Sequence, residues 1–100
     1  MTDTFAALSD PTRRQILDRL KDGGGLTVSE IGRELPITRQ AVSKHLAVLE
    51  SAELVASMRD GRCKRHYLNP MPLAKLAKRW LSSFDEVPLG ALEGFRAGRG

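Results

Sequence analysis

The stretch Thr38-Arg39-Gln40-Ala41-Val42-Ser43-Lys44 gathers hydroxyl, guanidinium, amide and ammonium groups, while Val42, Leu46 and Leu49 recur at i, i+4, i+7. On a helix that spacing turns the three apolar residues to one side, and Thr38, Arg39, Gln40, Ser43 and Lys44 stay outward on the first turns. Such side chains suit the edges of base pairs. Arginine or lysine donates to O6 and N7 of guanine, glutamine pairs with adenine, and hydroxyls serve bases or phosphates. An ordinary amphipathic helix with a solvated polar face has the same pattern, so this helix alone leaves both readings open.

A second group lies downstream, where Arg59, Arg62, Lys64 and Arg65 surround a lone Asp60. A charge cluster of this kind is compatible with a simple solvated face. Its position argues for more, because Asp60-Gly61 is a hairpin-turn signal and the flanking residues read as two strands. A basic ribbon directly after a groove-reading helix is placed to clamp the phosphate backbone or minor groove. The cations then supply affinity and its salt dependence, and the helix supplies sequence preference.

Other candidates carry less. Cys63 and His66 stand three apart on a strand and therefore face opposite ways, poor geometry for one metal ion. His45 reads as a packing or hydrogen-bonding residue at the helix flank. Neighbouring cations favour a Cys63 thiolate, which leaves an oxidation-sensitive thiol open. Gly23-Gly24-Gly25 lacks the strand before it and the Lys-Ser/Thr after it that a phosphate loop needs, and no nucleophile–base pair is legible, so an enzyme is not expected.

The elements that must position these residues follow from local signals. Asp10-Pro11 opens a helix with Ile16, Leu17 and Leu20 at helical spacing, ended by the three glycines. Thr27-Val28-Ser29-Glu30 has capping-box form and starts a helix of about two turns, with Val28, Ile31 and Leu35 on one face and Pro36 as its stop. Thr38 caps the next helix. Two short helices joined by a tight turn, the second with a polar face, make a helix-turn-helix. Strands are expected at 55–59 and 63–68, and Asn69-Pro70-Met71-Pro72 launches a last helix carrying Leu73, Leu76, Ala77, Trp80, Leu81 and Phe84. Trp80 and Phe84 read as core of an assembly rather than as a ligand pocket. The expected class is mostly α with a small β-hairpin, α+β.

With 100 residues, one core and one domain are expected, over 1–88, followed by a mobile tail at 89–100. A hydrophobic fraction of 41% beside 28% charged residues is globular. No apolar run approaches the roughly 18 residues that span a bilayer, so no membrane partner is expected. The first residues lack the basic start and apolar stretch of a secretory signal, and one cysteine cannot form an internal disulfide; a cytoplasmic protein is expected. The formal charge is +4, and position decides its meaning: residues 1–50 balance seven basic against seven acidic, while 51–100 hold nine against five. A winged helix that contacts RNA or protein instead of DNA is the main rival, although the basic Arg39 and Lys44 argue against it.

Three segments resemble the bacterial ArsR/SmtB-type winged-helix repressors: Phe5 through Arg14, Ile37 through Leu49, and Gly61-Arg62 through Tyr67-Leu68. The likeness spans about residues 4–84, with Ala-Val-Ser-Lys-His-Leu and the basic wing as its most specific parts. It implies a winged helix-turn-helix, a homodimer joined by its first and last helices through Phe5, Leu8, Leu73, Leu76, Trp80, Leu81 and Phe84, and repression by occupying an inverted-repeat operator in double-stranded DNA. It also carries DNA contact over to Thr38, Arg39, Gln40, Ser43 and Lys44. Metal-sensing relatives place a cysteine pair where Thr27 and Ser29 stand, and a second set of ligands on the last helix, where residues 73–84 hold no His, Asp or Glu. Neither replacement is a thiolate ligand, so no metal and no cofactor is expected. Operator sequence, regulated genes and any small-molecule effector stay open.

Overall fold

The computed structural model describes residues 3–84. The chain order is α1 (Thr4–Leu8), α2 (Pro11–Asp22), α3 (Val28–Gly32), α4 (Arg39–Ser51), β1 (Val55–Asp60), β2 (Cys63–Leu68) and α5 (Met71–Ser82). This is the α+β class expected, helices with one hairpin. The expected domain limit at residue 88 and the tail at 89–100 lie outside the described residues.

Each helix start has a chemical cause. Asp10 accepts from the backbone N–H of Thr12 at 2.8 Å and of Arg13 at 3.1 Å, with Pro11 at the first helical position. Thr27 and Glu30 complete a reciprocal capping box at α3, and Thr38 Oγ1 accepts from Ala41 N at 3.1 Å to cap α4. The separate α1 was not legible as its own element. It is closed by Ser9, whose hydroxyl donates to the Ala6 carbonyl at 2.7 Å, before Asp10 restarts the chain as α2.

The helix after Thr27 is shorter than expected: it ends at Gly32, four residues before Pro36, and Leu35 lies in the following turn. Gly32, a poor helix former, stands at that end, and α3 approaches α4 closely there, since a Cβ on Gly32 would lie 3.2 Å from Val42 Cγ2.

One core joins these helices. Ile16, Leu17 and Leu20 from α2, Ile31 from α3, Val42, Leu46 and Leu49 from α4, and Leu54 and Val55 at the wing's base are all buried, with Ala7 and Ala52 filling the remainder. After α4 the chain reverses through a Schellman closure, in which Glu53 N donates to Glu50 O and Leu54 N to Leu49 O. Glu53 takes the left-handed conformation there, at φ 61°, a place where glycine is usual.

β1 and β2 pair antiparallel, Val55 opposite Leu68 and Arg59 opposite Lys64, and Gly61 turns the hairpin at φ +63°. Leu26 adds an isolated bridge on the outer side of β2, opposite His66. α5 then leaves the wing from Asn69, whose N–H donates to the Leu54 carbonyl and whose side-chain amide donates to the Glu53 carbonyl. None of its residues is buried.

Candidate nucleic-acid interface

At 100° per residue, Arg39, Gln40, Ser43, Lys44 and Ala47 fall within an outward arc of about 140° on α4. All five are exposed, and Val42, Leu46 and Leu49 opposite them are buried. The helix is therefore docked by one side and bare on the other. Thr38 is exposed too, and although its oxygen accepts the cap hydrogen bond, its hydroxyl proton and a second lone pair remain to offer a ligand. Arg39 and Lys44 form no ion pair among the described residues.

The structure distributes the wing cations unequally. Arg59 and Arg62 are exposed and unpaired among the described residues. Lys64 lies across from Arg59 on the face turned toward α4, with its Nζ 3.8 Å from Glu50 Oε1. Arg65 is on the other face and is held by the protein itself. Its Nε donates to Asp60 Oδ2 at 2.8 Å, its Nη1 donates to the Gly25 carbonyl at 2.7 Å, and Nη1 lies 3.6 Å from Glu30 Oε1. The Asp60 hydrogen bond, ahead of the charges of Asp60 and Glu30, pushes the Arg65 guanidinium's pKa up. Glu30 moves the other way: the Thr27 N–H that it accepts lowers its carboxyl first, with Arg65 adding to the effect.

Cys63 and His66 face opposite sides of β2, as their spacing requires: Cys63 is exposed and His66 is 3% exposed. His66 is a structural histidine. Its Nδ1 is 2.9 Å from the Leu26 carbonyl, and its backbone exchanges hydrogen bonds with Leu26 and accepts one from Gly25 N. Tyr67 lies over the glycines that precede Leu26, close enough that a Cβ at Gly24 would stand 3.1 Å from its ring. The sequence marks His66 only as a histidine near a cysteine; its role depends on the Leu26 bridge, which joins residues 40 apart.

Arg13 is a further residue that sequence reasoning missed. Nε donates to the Ala7 carbonyl at 2.8 Å and Nη2 to the Ala6 carbonyl at 3.1 Å, while Nη1 meets His45 Nδ1 at 3.4 Å. It therefore ties the end of α1 to the flank of α4. His45 is a hydrogen-bonding residue at the helix flank, in agreement with its sequence reading. Nothing in the one-dimensional pattern distinguishes Arg13 from Arg14, which instead donates to the Leu8 carbonyl.

The residues expected on the dimer face lie on α1 and α5, except Phe84: the last helix ends at Ser82, and Phe84 stands in the turn after it rather than on the helix as expected. Phe5 is 51% exposed, Trp80 53%, Leu81 63% and Phe84 49%, and Leu8, Leu73 and Leu76 are half-buried. Trp80 meets Phe5 edge to face at 5.8 Å between ring centroids and Phe84 at 5.5 Å. Among the described residues, no three His, Cys, Asp or Glu stand together to hold a metal ion, and no helix is long and apolar enough to cross a membrane.

Comparison with known proteins agrees with this geometry. Residues 8–57 match a helix-turn-helix domain family. The HTH-type transcriptional regulator YuzN of Bacillus subtilis is 46% identical over 77% of this chain and 90% of its own. The transcriptional repressor SdpR of the same organism is 38% identical over 84% of this chain and 91% of its own. The solved structure of an ArsR-like transcriptional regulator from Rhodococcus sp. RHA1 superposes with a TM-score of 0.70 at 35% identity, covering 91% of this chain and 87% of the other.

Proposed function

The chain belongs to the ArsR-type winged helix-turn-helix transcriptional regulators, and from that premise we propose that it is a homodimeric repressor occupying an inverted-repeat operator in the cytoplasm. DNA is the partner of this fold as the family uses it. The observation that carries the finer reading is the bare arc of α4, Arg39, Gln40, Ser43 and Lys44, followed along the chain by a hairpin whose exposed Arg59 and Arg62 form no ion pair among the described residues. Within the major groove, Arg39, Gln40 and Lys44 read base edges, and Thr38 and Ser43 serve bases or phosphates. Arg59, Arg62 and Lys64 neutralise phosphates alongside. Repression needs nothing more than occupancy, and the likeness to a named repressor supports it.

The dimer reading rests on the aromatic face of α1 and α5, which a lone protomer leaves in water. A twofold pair of recognition helices reads half-sites about one helical turn apart, or a small multiple of it. Metal ions play no part in this switch, since Thr27 and Ser29 offer hydroxyls at the positions expected for thiolates.

Selecting bound duplexes from a random pool, then measuring variants on the selected and on random DNA, tests the assignment. Arg39→Ala or Gln40→Ala should cost about 1–3 kcal/mol on the selected site and relax one base position per half-site, with little change on random DNA. Arg62→Ala should weaken both alike and lower the slope of log affinity against log salt by about one. A selected pool without inverted symmetry would overturn the dimeric operator, and unchanged base preference in Arg39→Ala and Gln40→Ala would overturn the role of α4.

A further inference from the structure

We propose that Arg65 is a positioning residue that sets the pitch of the wing, not a phosphate ligand like the arginines around it. The proposal rests on the reading above that the wing meets DNA. Four wing cations look equivalent in sequence, yet this one is anchored at both ends of its reach. One hydrogen bond runs to Asp60 at the tip of the hairpin and one to the Gly25 carbonyl, 40 residues away, at the entrance to α3.

The second anchor is itself rigid. Gly25 and Leu26 are hydrogen-bonded to His66, the neighbour of Arg65, and Glu30, 3.6 Å from the guanidinium, is held by its capping-box bond from Thr27 N at 3.0 Å. Arg65 thus spans from the tip of a two-stranded ribbon to the start of the helix-turn-helix. A planar guanidinium can hold two acceptors at fixed angles, which a compact ammonium cannot. An isolated two-stranded hairpin is only marginally stable, so a brace from its tip to the body has an orientation to enforce.

Charge argues the same way. Two carboxylates, Asp60 and Glu30, face the single positive charge of Arg65, so the trio presents no net attraction to a phosphate. A phosphate reaching Arg65 has to displace Asp60 or approach it. Arg59 and Arg62, which form no ion pair among the described residues, meet no such barrier.

Two substitutions separate the two roles, measured on the full chain with a fluorescein-labelled random-sequence 30-base-pair duplex across a salt series. Asp60→Asn removes a negative charge beside DNA and keeps a turn-forming Asn-Gly pair, so the hairpin still closes. If Arg65 braces the wing, Asp60→Asn weakens binding roughly threefold, the scale of one exposed hydrogen-bonded ion pair, and lowers the salt slope because Arg59 and Arg62 lose their register. Arg65→Lys, which keeps the charge, weakens it to a similar degree. Backbone 15N order parameters over residues 59–64 fall in both variants while the melting temperature of the helical body holds.

The role is overturned if Asp60→Asn binds as wild type or tighter, with an unchanged or steeper salt slope, or if Arg65→Lys matches wild type. Arg62→Gln is the control that separates the two failures. Should it leave affinity and slope untouched, the wing does not meet DNA and the brace falls with that reading; should it weaken binding while Asp60→Asn tightens it, only the brace is wrong.

Discussion

α4 and α5 are nearly the same length, 13 and 12 residues, and both carry an apolar stripe, yet they end in different environments. α4 buries Val42, Leu46 and Leu49 against α2, α3 and the wing's base. α5 carries the bulkier set, Leu73, Leu76, Trp80 and Leu81, with Phe84 just past its end; Leu73 and Leu76 are half-buried and the other three exposed. The lighter stripe is satisfied within the chain and the heavier one only in part, through Leu73. A stripe at helical spacing states that a face leaves water somewhere, and says nothing about whether the partner is the same chain or a second one.

Breaking the two stripes should therefore have different readouts. Leu49→Ala removes a fully buried side chain from the centre of the core, and chemical denaturation should show a loss of about 2–5 kcal/mol. Trp80→Ala should leave the helical content and the protomer's core intact. It should instead weaken self-association by about 2 kcal/mol or more, about thirtyfold in dissociation constant, which sedimentation at micromolar concentration reads directly. A monomeric wild type under those conditions would erase the contrast between the two helices.

A smaller effect sharpens the account of α4's end. Glu53 holds a left-handed conformation with no glycine's freedom, and the bonds that close the motif are made by backbone atoms. Glu53→Gly should raise stability by roughly 0.5–1 kcal/mol. A melting temperature that stays the same or falls would show that the Glu53 side chain compensates for the backbone cost.

The smallest effect concerns acid. The backbone N–H of Arg13, more than any other group, holds the Asp10 carboxyl below its ordinary value of 3.8. A carboxylate depressed in the folded state stabilises above its unfolded pKa and loses that contribution as pH falls through the folded one. Melting temperatures of wild type and Asp10→Asn should thus converge below about pH 3.8, since asparagine caps equally well without a charge to lose. A gap between them that persists unchanged to pH 2 would contradict the cap's electrostatic part.

Much of this molecule was legible in one dimension because its signals are local. The caps at Asp10, Thr27 and Thr38, the Asp60-Gly61 turn and the period of Val42, Leu46 and Leu49 each act within one or two turns of chain, and each element stands where they place it. The outward arc of α4 follows from the same period. Where local reading fell short, α3 ends at Gly32, a poor helix former packed close to Val42, and α1 closes at Leu8 with its Ala6 and Ala7 carbonyls bonded by Ser9 and Arg13.

By itself, then, the sequence determined the helix-turn-helix, the hairpin and the chemical inventory of both, since hydrogen-bond capping and hydrophobic period depend on neighbours along the chain. Tertiary structure alone decided which like residues are unlike. Among the described residues, Arg59 and Arg62 form no ion pair while Arg65 is bound to Asp60 and Gly25, and His66 is buried while Cys63 is exposed. The physical reason is that a side chain's charge is set by its own chemistry, whereas the charge it can offer a ligand depends on which acceptors the fold has brought to it from residues far away in the chain.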